Sequence, residues 1–245
     1  MEETSRRGVL KAAAWATPII AVAAVAPAAV ASPCSKAYQG VLRLTTGQSQ
    51  APNYTRSTPT SGTASVTLDG APAVVAPINV SVTSVFTSNY TPATNADPIP
   101  RNLQTGPYGL SLMQLRSGAS TSSTQGQTVT FTFSRPVSDL RFTLGGFTWP
   151  TDQSYRDAGY FTATPASYAN PSQVTGSGIA ASPWVTSVQQ SNPPVTAANT
   201  VTNLLFPGAI SSLTFHYYSA TSRTDGGENS PQAVYFSDMA FRAAC

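Results

Sequence analysis

The chain is 245 residues long, with 9% charged residues, 9% aromatic residues, 20 prolines and a formal net charge of +3 at pH 7. So sparse and weak a positive balance excludes an electrostatic nucleic-acid surface, and one histidine with two cysteines cannot make a zinc site of the usual composition. After residue 31, Lys36 is the only lysine and Glu228 the only glutamate, while Ser, Thr, Ala, Val, Pro and Gly dominate, so helix formers are scarce and strand and turn formers abundant.

At the N-terminus, Ser5-Arg6-Arg7-Gly8-Val9-Leu10-Lys11 stands directly before an Ala-rich apolar run that Pro18 and Pro27 interrupt, and Ala29-Val30-Ala31 supplies a small-x-small pattern. The segment resembles a twin-arginine signal peptide over residues 1–31, with Ser32 as the new N-terminus. That resemblance implies that Arg6 and Arg7 are read by the twin-arginine export machinery. A bilayer helix needs about 20 strongly apolar residues without such breaks, and Pro33 before Cys34 does not fit a lipoprotein cleavage site. The expectation is an extracellular protein without a stable membrane anchor, free or associated with the cell wall.

Residues 32–245 are enough for one large β domain with its own core. In chain order, Ile78, Val80 and Val82 alternate with Asn79, Ser81 and Thr83. Val129, Phe131 and Phe133 alternate with threonines, Leu140, Phe142 and Leu144 follow in the same rhythm, and Leu213, Phe215 and Tyr217 close the series. Weaker strand patterns fall at 38–46, 63–69, 108–115, 158–164, 184–189, 200–206 and 233–242. About ten strands and no amphipathic helix predict an all-β fold, a two-sheet antiparallel β-sandwich of jelly-roll type. Phe133-Ser-Arg-Pro-Val137-Ser138-Asp-Leu140-Arg-Phe142 and Phe206-Pro-Gly-Ala-Ile210-Ser211-Ser-Leu213-Thr-Phe215 share one pattern. Both read as strand, tight turn, strand, and as two similar hairpins rather than a domain repeat. Long polar stretches at 87–107, 145–157 and 165–199 are where function is expected.

Cys34 and Cys245 bracket this domain almost end to end. In an exported chain the simplest expectation is a disulfide between them, with free thiols or an intermolecular link as the alternatives.

Asp225-Gly226-Gly227-Glu228-Asn229, followed by Asp238, is the densest acidic group. Calcium takes six to eight oxygen ligands, so Asp225, Glu228 and Asp238 are candidate calcium ligands, against the alternative of a solvated hairpin turn. Asp238 shares strand phase with Val234 and Phe236, where a bare carboxylate is costly to bury, unless a bulge near Ser237 turns it outward. Trp149, Trp184 and Tyr155 lie in or beside the long loops and are candidate sugar-stacking residues, against the alternative that they cap the core. Nucleophile, phosphate-loop and dinucleotide motifs are missing from the sequence, and His216 lies on the polar phase of its strand.

From Thr128 to Leu144 and again over Val234-Tyr-Phe-Ser-Asp-Met-Ala-Phe241, the chain resembles secreted actinobacterial β-sandwich proteins of unassigned function. More loosely, the same strand pattern is similar to jelly-roll carbohydrate-binding modules, whose last strand often carries an Asp near a structural calcium. The resemblance implies a non-catalytic module for carbohydrate or a cell-wall polymer. A secreted polysaccharide hydrolase and a purely structural envelope protein are the alternatives.

Overall fold

The computed structural model describes residues 36–87, 89–93, 101–116, 124–190, 195–221 and 231–245. Arg6 and Arg7 of the expected leader, Cys34, and the candidate calcium ligands Asp225 and Glu228 lie outside the described residues. Sixteen strands follow one another: β1 (Ala37–Leu42), β2 (Tyr54–Thr58), β3 (Ser61–Val66), β4 (Ile78–Thr87), β5 (Tyr90–Pro92), β6 (Thr105–Gly106), β7 (Gly109–Arg116) and β8 (Gly126–Gly145) make up the first half. Then come β9 (Asp157–Phe161), β10 (Ser167–Ala169), β11 (Val174–Thr175), β12 (Trp184–Thr186), β13 (Val201–Phe206), β14 (Ile210–Ser219), β15 (Gln232–Phe236) and β16 (Met239–Ala244). Among the described residues the only helix is the short 3-10 turn Ala197–Asn199, and none is long and apolar enough to cross a membrane.

The fold is an all-β sandwich, and all pairing between these strands is antiparallel. Its two sheets share β8. The first half of β8 pairs with β4 on one side and β14 on the other, whereas its second half pairs with β13 on one side and β15 and β16 on the other. Pro136, which has no N–H to give to a ladder, sits where the strand changes partners. The first sheet therefore runs β2-β3-β4-β8-β14-β9-β12-β11, and the second collects β10, β13, β8, β15, β16, β7, β5, β6 and β1.

Period-2 alternation places the core as the sequence predicts. Ile78, Val80, Val82, Val129, Phe131, Phe133, Leu140, Phe142, Leu144, Leu213, Phe215 and Tyr217 are all buried. Rings from the two sheets meet between them: Phe131 lies 5.2 Å from Phe236, Phe133 lies 5.7 Å from Phe241, and Phe142 lies 5.7 Å from Phe161. Each buried ring of this kind is worth about 3–5 kcal/mol against truncation to alanine.

The repeated sequence pattern has a structural basis different from two hairpins. Phe133 belongs to the first sheet and Phe142 to the second, so residues 133–142 cross between sheets without a turn. Residues 206–215 make the reverse crossing alongside, from Phe206 paired with Leu140 to Phe215 paired with Val129. The fifth positions of the two copies, Val137 and Ile210, are cross-strand partners. Two antiparallel crossings facing one core need the same spacing of apolar residues, which is why the pattern recurs. In place of the expected tight turn, residues 133–142 hold a bulge in a continuous strand, with Asp139 at a φ of 51°.

Candidate functional site

One end of the sandwich is polar inside. Along strand after strand the inward apolar series ends in a buried polar side chain: Leu110 and Leu112 lead to Gln114 and Arg116 on β7, Phe131 and Val129 to Gln127 on β8, and Phe236 and Val234 to Gln232 on β15. Phe215 leads likewise to Tyr217 and Ser219 on β14, and Phe161 to Asp157 on β9. A layer like this is costly unless its groups bond one another. Gln127 Nε2 donates to Ser84 Oγ at 2.9 Å and to Asn102 Oδ1 at 2.7 Å, and Gln114 Nε2 donates to Gln232 Oε1 at 3.2 Å. The Arg116 guanidinium donates to the carbonyls of Ser154 and Thr221 at 3.1 and 2.8 Å.

Asp157 is the acid of this layer. Its carboxylate accepts the Thr148 amide and hydroxyl, both at 2.8 Å, and the Tyr217 hydroxyl at 2.6 Å. Burial nevertheless dominates and pushes Asp157 up from 3.8 to about 7, because three donors do not replace the lost solvation. Burial, and then the nearby Asp157 charge, raise the Tyr217 and Tyr155 hydroxyls above the ordinary phenol range. No solvent reaches Asp157, and the single histidine is on the other face of the same sheet: His216 is stacked on Tyr160 with ring centroids 4.7 Å apart, and its Nδ1 is 2.9 Å from Thr128 Oγ1. Asp157 and His216 therefore form no catalytic couple.

The three candidate stacking residues have different fates. Trp184 is fully buried, with Phe161 and Tyr168 meeting its ring edge-on at 5.9 and 5.5 Å, so it offers no face to a sugar. This corrects the expectation for Trp184: β12 is an interior strand beside β9, and its inward residue belongs to the core. Trp149 is half-buried, and the Arg156 guanidinium, 4.5 Å from its ring centroid, covers one face. Tyr155 is also half-buried, its hydroxyl 3.2 Å from that of Thr148.

Asp238 stands in the break between β15 and β16, where the strand phase changes, as the bulge alternative required. Its Oδ1 accepts the amides of Leu44 and Thr45 at 2.7 and 2.8 Å, tying the chain after β1 to the second sheet.

Two outward surfaces remain. On the second sheet, Arg141 stands between a depression of about 310 Å³ shared with Gln39, Asp139 and Arg242 and another of about 540 Å³ reaching Asn203, Ser237 and Asp238. Asp139 and Asn203, at φ 51° and 55°, are left-handed non-glycine residues at bulges flanking Arg141.

The outer face of the first sheet is a lattice of hydroxyls. Thr55, Thr63, Ser81, Thr132 and Ser212 pair in register across five strands, and Ser61, Thr83, Thr130 and Thr214 make a second row. Thr130 and Thr214 share a hydroxyl–hydroxyl hydrogen bond of 3.1 Å. Neither row contains a charge, and half-burial lowers the His216 imidazole beside them below its ordinary value, leaving it neutral at pH 7. A depression of about 620 Å³ crosses this face between Asn53 and Ser134. Sequence alternation marked Ser81, Thr83, Thr130 and Thr132 as the polar phase, but only the strand order aligns them into rows.

Comparisons with protein-family models, with curated proteins and with solved structures each found no match.

Proposed function

We propose that the protein is an exported, non-catalytic module that binds a neutral polysaccharide, in the extracellular space or cell wall, on the hydroxyl lattice of the first sheet. The observation that carries this reading is an uncharged plane of in-register hydroxyls spanning five strands. Neighbours about 4.8 Å apart within each row, and rows about 6.7 Å apart along the strands, offer many weak donors and acceptors to an extended hydroxylated chain. Single contacts of that kind are weak, and a repeating polymer engages many at once. A strongly apolar partner would leave these hydroxyls unpaired, and a charged one would find no countercharge in either row. The sealed position of Asp157 favours binding over hydrolysis.

The test is co-sedimentation of the secreted protein with insoluble neutral polysaccharides and purified cell walls. Capture is expected, with little sensitivity to salt because the face carries no charge. Thr132→Glu, which places a carboxylate at the centre of a row without touching the core, should abolish it. Capture that survives both Thr132→Glu and Ser81→Tyr would overturn the assignment of this face.

A further inference from the structure

We infer that the Arg141 depression on the second sheet is a separate binding site for a carboxylate-bearing sugar unit. This inference does not rest on the hydroxyl lattice, which belongs to the other sheet. Its volume, about 310 Å³, is at the lower end of the range for small-ligand sites and suits one sugar ring.

The chemistry follows from three charges. Arg141 on β8 and Arg242 on β16 both project outward and are exposed. Ala240 is the cross-strand partner of Arg141 and sits two residues before Arg242, so the two guanidiniums are diagonal neighbours, about 7–8 Å apart at their Cα atoms. Asp139 lines the same depression, yet among the described residues the side chains of Arg141, Arg242 and Asp139 make no hydrogen bond and no ion pair.

Two planar guanidiniums present parallel N–H donors that match a carboxylate in bidentate fashion. Asp139 beside them accepts hydroxyl donors, and Gln39, the cross-strand partner of Arg242, both donates and accepts. A ligand that satisfies all four carries one negative charge with hydroxyls next to it, as a uronic acid does. Asp139 repels any anion, a phosphate dianion about twice as strongly as a carboxylate monoanion, so the carboxylate is favoured.

The experiment is calorimetric titration of the secreted protein with a uronic-acid oligomer, its carboxyl-reduced neutral counterpart, the free monosaccharide acid and inorganic phosphate. The acidic oligomer should bind with a salt-sensitive affinity that Arg141→Gln and Arg242→Gln each weaken by about tenfold or more. Asp139→Asn, which keeps an acceptor oxygen but removes the like charge, should strengthen any response to phosphate more than it changes binding of the acidic sugar. Thr132→Glu should leave the titration unchanged, and Arg141→Gln should leave capture by neutral polysaccharide unchanged, so this site and the lattice fail separately. Free acid binding as well as the oligomer would mark a single-residue site and support the inference. Equal binding of the carboxyl-reduced oligomer, phosphate binding tighter than the acidic sugar, or no binding of any acid by a folded protein would overturn it.

Discussion

The Tyr217 hydroxyl donates to Asp157 Oδ1 at 2.6 Å, inside the sandwich and out of reach of solvent. That contact and the two from Thr148 lower the cost of a carboxylate there, but burial keeps its folded value at about 7 against 3.8 for the ordinary group. Below about pH 4 both folded and unfolded chains are protonated, and the contribution of this group to stability is fully present. Between about pH 4 and pH 7 the unfolded chain has lost a proton that the folded chain keeps, so the contribution falls as pH rises and levels off above pH 7. Asp157→Asn removes the titration. The melting temperature of the native protein relative to the variant should therefore drop across that window, and a constant difference from about pH 4 to pH 8 would show that Asp157 does not titrate there.

Trp184 is a packing residue, and Gly178 shows how tightly it is held. Gly178 has a φ of 70°, and a Cβ placed there would collide with the six-membered ring of the indole. Gly178→Ala should be destabilising on both counts, through backbone strain and through displacement of the ring. Trp184→Ala should cost about 3–5 kcal/mol. Acrylamide quenching reads the burial directly: in Trp149→Phe, where Trp184 alone reports from the folded domain, quenching should be slight. Strong quenching would mean that the Trp184 ring reaches solvent.

Strands with clean alternation were legible because period 2 and burial are the same fact seen twice: Ile78 to Val82, Val129 to Phe133 and Leu213 to Tyr217 needed no tertiary information. Strands β10, β11 and β12 have three residues or fewer, too few for a period, which is why the weak 184–189 pattern did not tell whether Trp184 faces the core. The polar end of the core carried a signal that went unused. Tyr217 shares phase with Phe215, and Asp157 with Phe161, which is the same reasoning that singled out Asp238. Rows of hydroxyls and the Arg141–Arg242 diagonal depend on which strands become neighbours, and a single sequence does not encode that locally.

Asp238 should behave as a backbone acceptor. Asp238→Ala leaves the Leu44 and Thr45 amides without their partner, and a buried donor left unpaired costs about 1–3 kcal/mol. Asp238→Asn keeps an acceptor oxygen and should cost less. Hydrogen exchange should accelerate at Leu44 and Thr45 in the alanine variant and much less in the asparagine variant. Equal protection in all three proteins would remove Asp238 from this role.

Strand β1 lies against β16 with Ala37 opposite Ala244, so the beginning and the end of the domain run side by side, and Cys245 Sγ reaches to 3.7 Å from the Lys36 carbonyl. Cys34 is only two residues before Lys36, and a Cys34–Cys245 disulfide would lock this terminal strand pair. Closing so long a loop is worth about 5 kcal/mol in the chain-entropy account, an upper figure because unfolded chains retain some structure. The core needs no such staple to form, so reduction should lower the melting temperature while leaving the far-ultraviolet spectrum of the folded protein unchanged. Cys34→Ala and Cys245→Ala should each have the same effect as reduction, and the double variant no more than either alone, because one bond is lost in every case. Intact mass of the protein, purified without reductant, should be two hydrogens below the reduced value. Two free thiols in that protein, or a double variant much less stable than the single ones, would rule the bond out.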